Sequence, residues 1–460
     1  MSQSEQSSSG GRTPTPLSQS SLDSEAGERD PTPPLTEPQT AGMWDSLRHR
    51  DYRFLWSGSL AASFAMNIQM VARGWLVYAM TSSPTKLAWV MLSFMVPQVI
   101  FSLFGGVVAD RFAKKKVIAV AQALNCGATL IMAVIILSDN VTFWHFIYFG
   151  CFNGTVLALS IPARNALIPE IVGERLLFNA MALSTSSMNL SRILGPALAG
   201  VFIAVLADGN TTSTFGVGIV YLVIALLYFT SSALILFVNT RQRKAAKDHQ
   251  NPFIEIRDGF RYVRASPILM GLIIMSILPF VFGMAINSLM PAFNQDILNG
   301  GPDGLGLLMS ATGVGAIAGS LLLANMTNAR HKGRWLFVMV GVWAMFIALF
   351  SQSVQMWTAM IMVAVVGFTS SLFMAMNRSL IQLGVSADMR GRVLSIDMMS
   401  HGLMPLGIIP ISFIAESWGI DLALLISAVL LACSSMLVAV FLPVVRGIDR
   451  GFEMQASRAP

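Results

Sequence analysis

Apolar stretches of about 20 residues or more recur along this 460-residue chain, and they constrain its fold more than any other feature. They lie near 54–80, 86–109, 117–138, 142–163, 177–206 and 215–238. A second set lies near 268–295, 304–326, 335–351, 355–377, 392–416 and 419–443. Each is long enough to cross the hydrocarbon of a bilayer, where a single segment satisfies its own backbone N–H and C=O groups by being a helix. Composition agrees, with 54% of residues hydrophobic, 12% charged and a mean hydropathy of +0.64. Soluble domains carry about 25% charged residues. The expected class is an all-α polytopic membrane protein with twelve transmembrane helices.

Basic residues gather at alternate connections. One set holds Arg48, Arg50 and Arg53, then Arg111, Lys114, Lys115 and Lys116, then Arg164 and Arg175. It continues through Arg241 to Arg264, Arg330 to Arg334, Arg390 and Arg392, and Arg446 and Arg450. The other set holds Lys86 and the acids Asp139, Asp208, Asp296, Asp303, Glu416 and Asp421. Because Lys and Arg accumulate on the cytoplasmic side, both termini are expected there. The net charge of +6 then reports topology and not a nucleic-acid partner. Residues 239–267 form the longest basic connection and divide the spans into two sets of six, 43–238 and 268–445. Within that connection Phe253, Ile256, Phe260 and Val263 recur at helical spacing, with Arg257, Arg261 and Arg264 on another face, as in an interfacial amphipathic helix. Arg164 and Arg378, and Pro196 and Pro410, echo each other at a separation of about 214, as two six-helix halves in parallel repeat would. Residues 1–42, rich in Ser, Thr, Pro, Gln and Glu and without the apolar core of a signal peptide, are expected to be a disordered cytoplasmic tail, and 446–460 a second tail. Cys126, Cys151 and Cys433 lie inside apolar runs without metal-ligand spacing and read as small hydrophobes.

The connection after the second span reads "GGVVADRFAKKKV". Stopping a helix at a membrane surface accounts for the bases but not for Asp110. An acid at this level can cap the positive end of a neighbouring helix, and the eleventh span begins here. Such a contact, made in one conformation and broken in another, is a latch. Gly106, Asp110, Arg111, Lys114 and Lys115 resemble the Gly-x-x-x-Asp-Arg-x-Gly-Arg-Arg/Lys motif of the major facilitator superfamily, with Ala113 at the second glycine and Lys114 at the first arginine. The matching connection of the second half, "ANMTNARHKGRW", keeps the bases and lacks the acid, so the implied latch is one-sided. In the fifth span "SRILGPALAG" resembles the superfamily's antiporter motif through Gly195, Pro196 and Gly200, with Ser191 and Ala199 at two glycine positions. "SLRHRDYRFLWSG", "GWLVYAMTSSP", "IRDGFRYVRASP" and "RGRVLSIDMMSHGLMPLG" are similar to a bacterial efflux branch that holds the enterobactin exporter and macrolide-efflux-like permeases. The resemblance runs over roughly residues 45–445. It implies the major facilitator fold of two six-helix halves in a bacterial inner membrane. It also implies proton-driven export of a siderophore, drug or other amphipathic small molecule by alternating access, with spans 1, 4, 7 and 10 lining the cavity.

Individual polar residues inside the spans carry two readings each. Counted along 177–206, Arg192 is about 15 residues from one end and 14 from the other, which at 1.5 Å per residue is roughly 20 Å from either surface. It must face the bundle interior, either as a structural helix-to-helix contact or as a site for an anionic substrate group. A guanidinium does not release a proton, so it is not the proton carrier. Asp397 and His401 are four apart in the eleventh span and are the proton-coupling candidates. The competing readings are an Asp397 pair with Arg390 or Arg392 and a packing role for His401. Arg73, with Gln69 on its face, is a cavity candidate or an arginine that snorkels to the nearer surface. Asn67, Asn153, Asn287 and Asn377 place amides in spans 1, 4, 7 and 10, as cavity groups or inter-helix hydrogen bonds. Methionines such as Met66, Met70, Met95, Met284 and Met376 provide a compliant wall or fill helix contacts.

"GVGAIAG" in the eighth span follows no strand, so Gly315 and Gly319 read as a helix-packing face and not as a dinucleotide fingerprint. The chain contains no phosphate loop, HExxH or GxSxG. It is expected to be a non-enzymatic secondary transporter without cofactor or metal, acting as a monomer on a small molecule, with protons and the lipid bilayer as its other partners. An importer is the alternative, followed by a lipid flippase or membrane receptor.

Overall fold

The computed structural model describes residues 45–206, 214–239, 252–325 and 331–446. The expected tails 1–42 and 446–460, save Arg446, lie outside the described residues. Within the described ranges the side chains of Asp110 and His401 are not described. Among the described residues there is no strand.

A 3-10 turn, Asp45–Arg48, leads into α1 (Arg50–Thr81), α2 (Pro84–Arg111) and α3 (Lys114–Leu137). Then follow α4 (Phe143–Gly173), α5 (Arg175–Leu206) and α6 (Thr214–Leu236). The amphipathic α7 (Pro252–Ala265) precedes the second set: α8 (Pro267–Asp296), α9 (Pro302–Asn325), α10 (Lys332–Ser351) and α11 (Met356–Leu383). α12 (Ala387–Met399) and α13 (Pro405–Trp418) together occupy the eleventh expected span, and α14 (Ile420–Phe441) the twelfth. Ten helices are long and apolar enough to cross a membrane. The two other expected spans depart for physical reasons. α1 is long enough at 32 residues, but Asn67, Gln69 and Arg73 lower its hydropathy. The eleventh is interrupted by a 3-10 turn at Ser400–Leu403, just before Pro405, which has no N–H to continue the ladder.

α4 runs beyond the expected end at residue 163 and reaches Gly173, whose φ of 70° turns the chain into α5. That left-handed conformation suits a residue without Cβ. Arg164, expected in a surface loop, therefore lies inside α4, half-buried, with its Nε buried and unpartnered. α8 contains a wide π turn at Pro279–Gly283, where proline removes a donor from the regular ladder. The hydroxyl of Ser427 on α14 donates to the Phe282 carbonyl in this turn. Gly407 of α13 presses against the same turn at Val281. The two interruptions in the second half thus lie side by side.

In the first half α2 packs on α4, α1 on α5 and α6, and α3 on α6; in the second, α9 and α10 pack on α11, and α10 on α14. Gly315 and Gly319 let α9 approach the α11 backbone at Ala364 and Phe368, which is the small-residue packing expected of them. The halves meet along two seams. In one, α5 and α9 run antiparallel, with Gly200 against Pro302 and Gly306, Pro196 against Gly306, Ser310 Oγ donating to the Ile193 carbonyl at 2.7 Å, and Gly313 against Arg192 and Ile193. In the other, α2 lies beside α13, from Thr85 at Ser412 and Glu416 to Val99 at Gly402.

Candidate functional site

Both seams close toward one face of the molecule, the one carrying Lys86, Asp296 and Glu416. The contacts recorded along them run from that face to Arg192 and Gly313 on one side and to Val99 and Gly402 on the other. The pattern is clearest along one stripe of α5. Phe178, Met181, Thr185, Met188 and Arg192 are exposed, at spacings of three and four that keep them on one side of the helix. The stripe continues through Gly195, Pro196, Ala199 and Ile203, all buried. One helical face thus changes from exposed to buried at Arg192. Large apolar side chains are also exposed on α2, at Ile100, Phe101 and Phe104, and on α12, at Met398 and Met399. Arg192 thus stands where the α5 stripe changes from exposed, largely apolar side chains to the buried contact with α9. Among the described residues Arg192 makes no ion pair and no hydrogen bond.

The closed face is held by polar contacts across the halves. Tyr78 of α1 donates its hydroxyl to Asp296 at the end of α8. Glu416 of α13 accepts from Ser83 Oγ at 3.0 Å and from Thr85 N at 3.3 Å, at the N-terminus of α2. Thr85 Oγ1 also donates to the Ser412 carbonyl. Glu416 thus caps, from the other half, a helix end whose N–H groups lack helical partners. Sequence reasoning missed this set because Ser, Thr and Glu near helix ends are ordinary capping residues with no signature of their own.

The expected site residues fall into three groups. Arg73 and Asn287 come together, lining with Ser288, Met70, Met91 and Met309 a small, largely apolar cleft of about 30 Å³ between the halves. Arg73 does not snorkel to the surface: its guanidinium lies over the Phe94 ring, 5.6 Å from the centroid. A second group is engaged in helix contacts. Gln69 donates to Thr129 Oγ1 and accepts from Tyr228, both at 3.5 Å. Asn153 donates to Asn125 Oδ1 at 3.2 Å, and Asn377 to the Leu272 carbonyl at 3.2 Å. Asn67 donates to its own helix at Ser63, and its Cβ abuts Gly195.

The third group lies at the basic face. Asp397 is buried and accepts from Ser276 Oγ of α8 at 2.5 Å. Arg392 instead pairs with Asp258 of α7 at 3.4 Å. The expected four-residue register of Asp397 and His401 is interrupted, because His401 sits in the 3-10 turn after α12 has ended. Gly106 and Asp110 lie in the last turns of α2, with Arg111 exposed and Lys115 half-buried beyond them. Lys114 is ion-paired with Glu170 of α4, within its own half. The start of α12 packs on α7 and not on the end of α2. Phe260 of α7, expected beside Val263, is exposed in line with Arg257, Arg261 and Arg264, while Val263 is buried. Among the described residues no three His, Cys, Asp or Glu side chains group to hold a metal.

An all-helical chain with ten helices long and apolar enough to cross a membrane, packed as two sets that meet along seams, suits a membrane transporter. Comparison with known proteins agrees. Residues 41–453 match the family model described as transmembrane secretion effector, and the chain belongs to that family, part of the major facilitator superfamily. It is similar to the staphyloferrin A transporter of Staphylococcus aureus, 24% identical over 393 residues, covering 84% of this chain and 94% of that protein. It is also similar to macrolide efflux protein A of Streptococcus pyogenes, 23% identical over 401 residues, covering 86% and 96%. Among solved structures the nucleoside transporter NupG superposes with a TM-score of 0.68 at 15% identity, covering 84% of this chain and 98% of that one. The chain is a multi-pass membrane transporter and not an enzyme.

Proposed function

We propose that the chain is a proton-coupled exporter of amphipathic small molecules, siderophores or drugs in class, working as a monomer by alternating access. The membrane is the bacterial inner membrane, with both termini cytoplasmic. The face with the basic connections is then cytoplasmic, and substrate enters the cavity from that side. The observation that carries the reading is the α5 stripe, exposed from Phe178 to Arg192 and buried beyond it. Macrolide efflux in one relative supports the outward direction, and the staphyloferrin A transporter supports a siderophore class.

In this mechanism the aromatic and methionine walls take the apolar body of the substrate, and Arg192 at the end of the exposed stripe takes an anionic oxygen or tunes a nearby acid. Closing the basic face brings the ends of α2 and α12 together, where Asp110 acts as the latch with Gly106, Arg111, Lys114 and Lys115. Gly195, Pro196 and Gly200 form the seam that opens in exchange. Asp397 is the favoured proton carrier, since it is buried beside the interrupted helices that must move; His401 in the adjacent turn is its relay partner.

Inside-out vesicles with an acid interior test the reading. Catecholate siderophores, macrolides and cationic dyes should include a compound that accumulates and releases protons, and an uncoupler should abolish the accumulation. Asp397→Asn should retain downhill flux while losing uphill accumulation. Accumulation unaffected by the uncoupler would overturn proton coupling, and flux in the opposite direction would make the chain an importer.

A further inference from the structure

The amphipathic helix α7 has two opposed faces. Asp258, Gly259, Tyr262 and Val263 turn toward the protein. Asp258 pairs with Arg392 of α12 at 3.4 Å. Gly259 lies so close to α12 that a Cβ would stand 3.0 Å from Ile396 Cδ1 and 3.3 Å from Arg392 Cβ. The Tyr262 hydroxyl accepts at 3.5 Å from the N–H of Ser386, the residue before α12, and Val263 is buried. The other face carries Arg257, Phe260, Arg261 and Arg264, all exposed, at the three- and four-residue spacing of one helical side. Arg257 comes within 3.9 Å of Asp258 with 79% of its side chain exposed. Among the described residues Arg261 and Arg264 have no ion pair.

The chain itself sets the depth of this outer face. Ser266 alone separates α7 from α8, which is long and apolar enough to cross the membrane from Pro267. Ser266 is extended, with φ −115° and ψ 107°, and its side chain accepts from the Leu269 N–H, so one helix stops and the next starts at that residue. Arg264 therefore stands within a turn of a membrane-crossing segment, at the level of the lipid headgroups. Three guanidinium groups around one aromatic ring complement a surface that is anionic outside and apolar beneath. Phosphate oxygens take the guanidinium groups, and the ring enters the boundary with the acyl chains. A soluble anion would match the charges but offer Phe260 no apolar contact.

We propose that the outer face of α7 docks on anionic phospholipid headgroups of the leaflet beside the basic connections, and that this docking holds α12 in place. α12 packs on α7 more than on any other helix, and the 3-10 turn at Ser400–Leu403 cuts it off from α13. It also carries Asp397, which accepts from Ser276 of α8. A lipid-held α7 restrains this interrupted segment through Asp258, Gly259 and Tyr262, so an anionic leaflet slows its local opening. The inference goes beyond the exporter reading and is independent of the substrate and of the direction of transport.

The test uses the full chain in nanodiscs of phosphatidylcholine with increasing phosphatidylglycerol, followed by amide hydrogen exchange. Phosphatidylglycerol should slow exchange several-fold across 257–265 and 387–399 and leave α10 unchanged. In Arg261→Gln the fraction of phosphatidylglycerol that gives half the slowing should rise about fivefold, the share of one arginine at a charged surface. Replacing Arg257, Arg261 and Arg264 together by Gln should remove the dependence on lipid. Salt at about 1 M, where the screening length is about 3 Å, should remove it from the unaltered protein. Asp258→Asn should keep the slowing in α7 and lose most of it in α12. Exchange in α7 that ignores phosphatidylglycerol, or that responds equally in the triple variant, overturns the docking. Slowing confined to α7 in the unaltered protein overturns the hold on α12. Inorganic phosphate or polyglutamate that gives the same slowing in pure phosphatidylcholine discs assigns the face to a soluble anion or an acidic protein, and overturns the lipid. None of these readings involves flux, so their failure leaves the exporter reading standing.

Discussion

Two glycines of one motif should respond oppositely to the same methyl group. A Cβ on Gly200 would stand 2.6 Å from the Pro302 carbonyl oxygen and 3.0 Å from Asp303 Cα. Both are backbone atoms of α9, in the other half, and have no rotamer through which to give way. A Cβ on Gly195 would stand 2.7 Å from Asn67 Cβ, in α1 of its own half. Overpacking at such contacts costs about 1–3 kcal/mol. For Gly200→Ala the cost falls on the conformation in which α5 and α9 touch and vanishes once the halves part at that face. About 2 kcal/mol applied to one of two conformations shifts their ratio roughly 30-fold. For Gly195→Ala both conformations carry the cost, so the protein loses stability without a change in their ratio. Spin labels at Ser138 and Gln352, exposed on opposite halves at the closed face, report the separation by double electron–electron resonance. Gly200→Ala should populate a longer distance, and Gly195→Ala should lower the melting temperature at unchanged distance. An unaltered distance in folded Gly200→Ala, or an equal lengthening in Gly195→Ala, would refute the reasoning.

Two further perturbations follow from the same contacts. Glu416→Gln removes the charge that accepts from Ser83 and Thr85; because Glu416 is exposed, the cost is about 1 kcal/mol, and the same labels should show a several-fold gain in the open population. Asp258→Asn breaks the Arg392 pair that ties α7 to α12, and amide hydrogen exchange should rise across 252–265 while α10 is unchanged.

Much of the architecture is legible in the chain because a bilayer removes alternatives. A run of about 20 apolar residues in hydrocarbon has to be a helix, and the expected spans are found nearly where hydropathy puts them. The exceptions share a cause. Arg164 looked like a loop residue because a charge was taken to end a helix, yet α4 continues to Gly173 and carries it inside. The break between α12 and α13 was hidden because Gly402 and Pro405 sit inside an apolar run whose total length suits one continuous helix. Asp397 and His401 were paired by assuming an unbroken register. Of the cavity candidates, Arg73, Arg192 and Asn287 reach space between the halves while Gln69, Asn153 and Asn377 bond neighbouring helices. A helical period places a polar group on a face of its own helix, but a buried amide is equally at home against a partner or a cavity.

The state of the molecule is a different kind of information, and a single stripe shows why. Phe178, Met181, Met188 and Arg192 differ in character from Gly195, Pro196, Ala199 and Gly200, although both sets lie on one face of α5. The small set fits a surface where two backbones touch, at Gly200 and Gly306, and an apolar stripe of larger side chains fits one that opens. A helix built with small residues at one end of its seam and large ones at the other cannot hold both ends closed at equal cost. Exchange between two such closures requires that each be weak enough to break. The polar ties at the closed face therefore run through exposed Glu416 and the terminal Asp296, within reach of water, instead of through buried ion pairs whose breaking leaves an uncompensated charge.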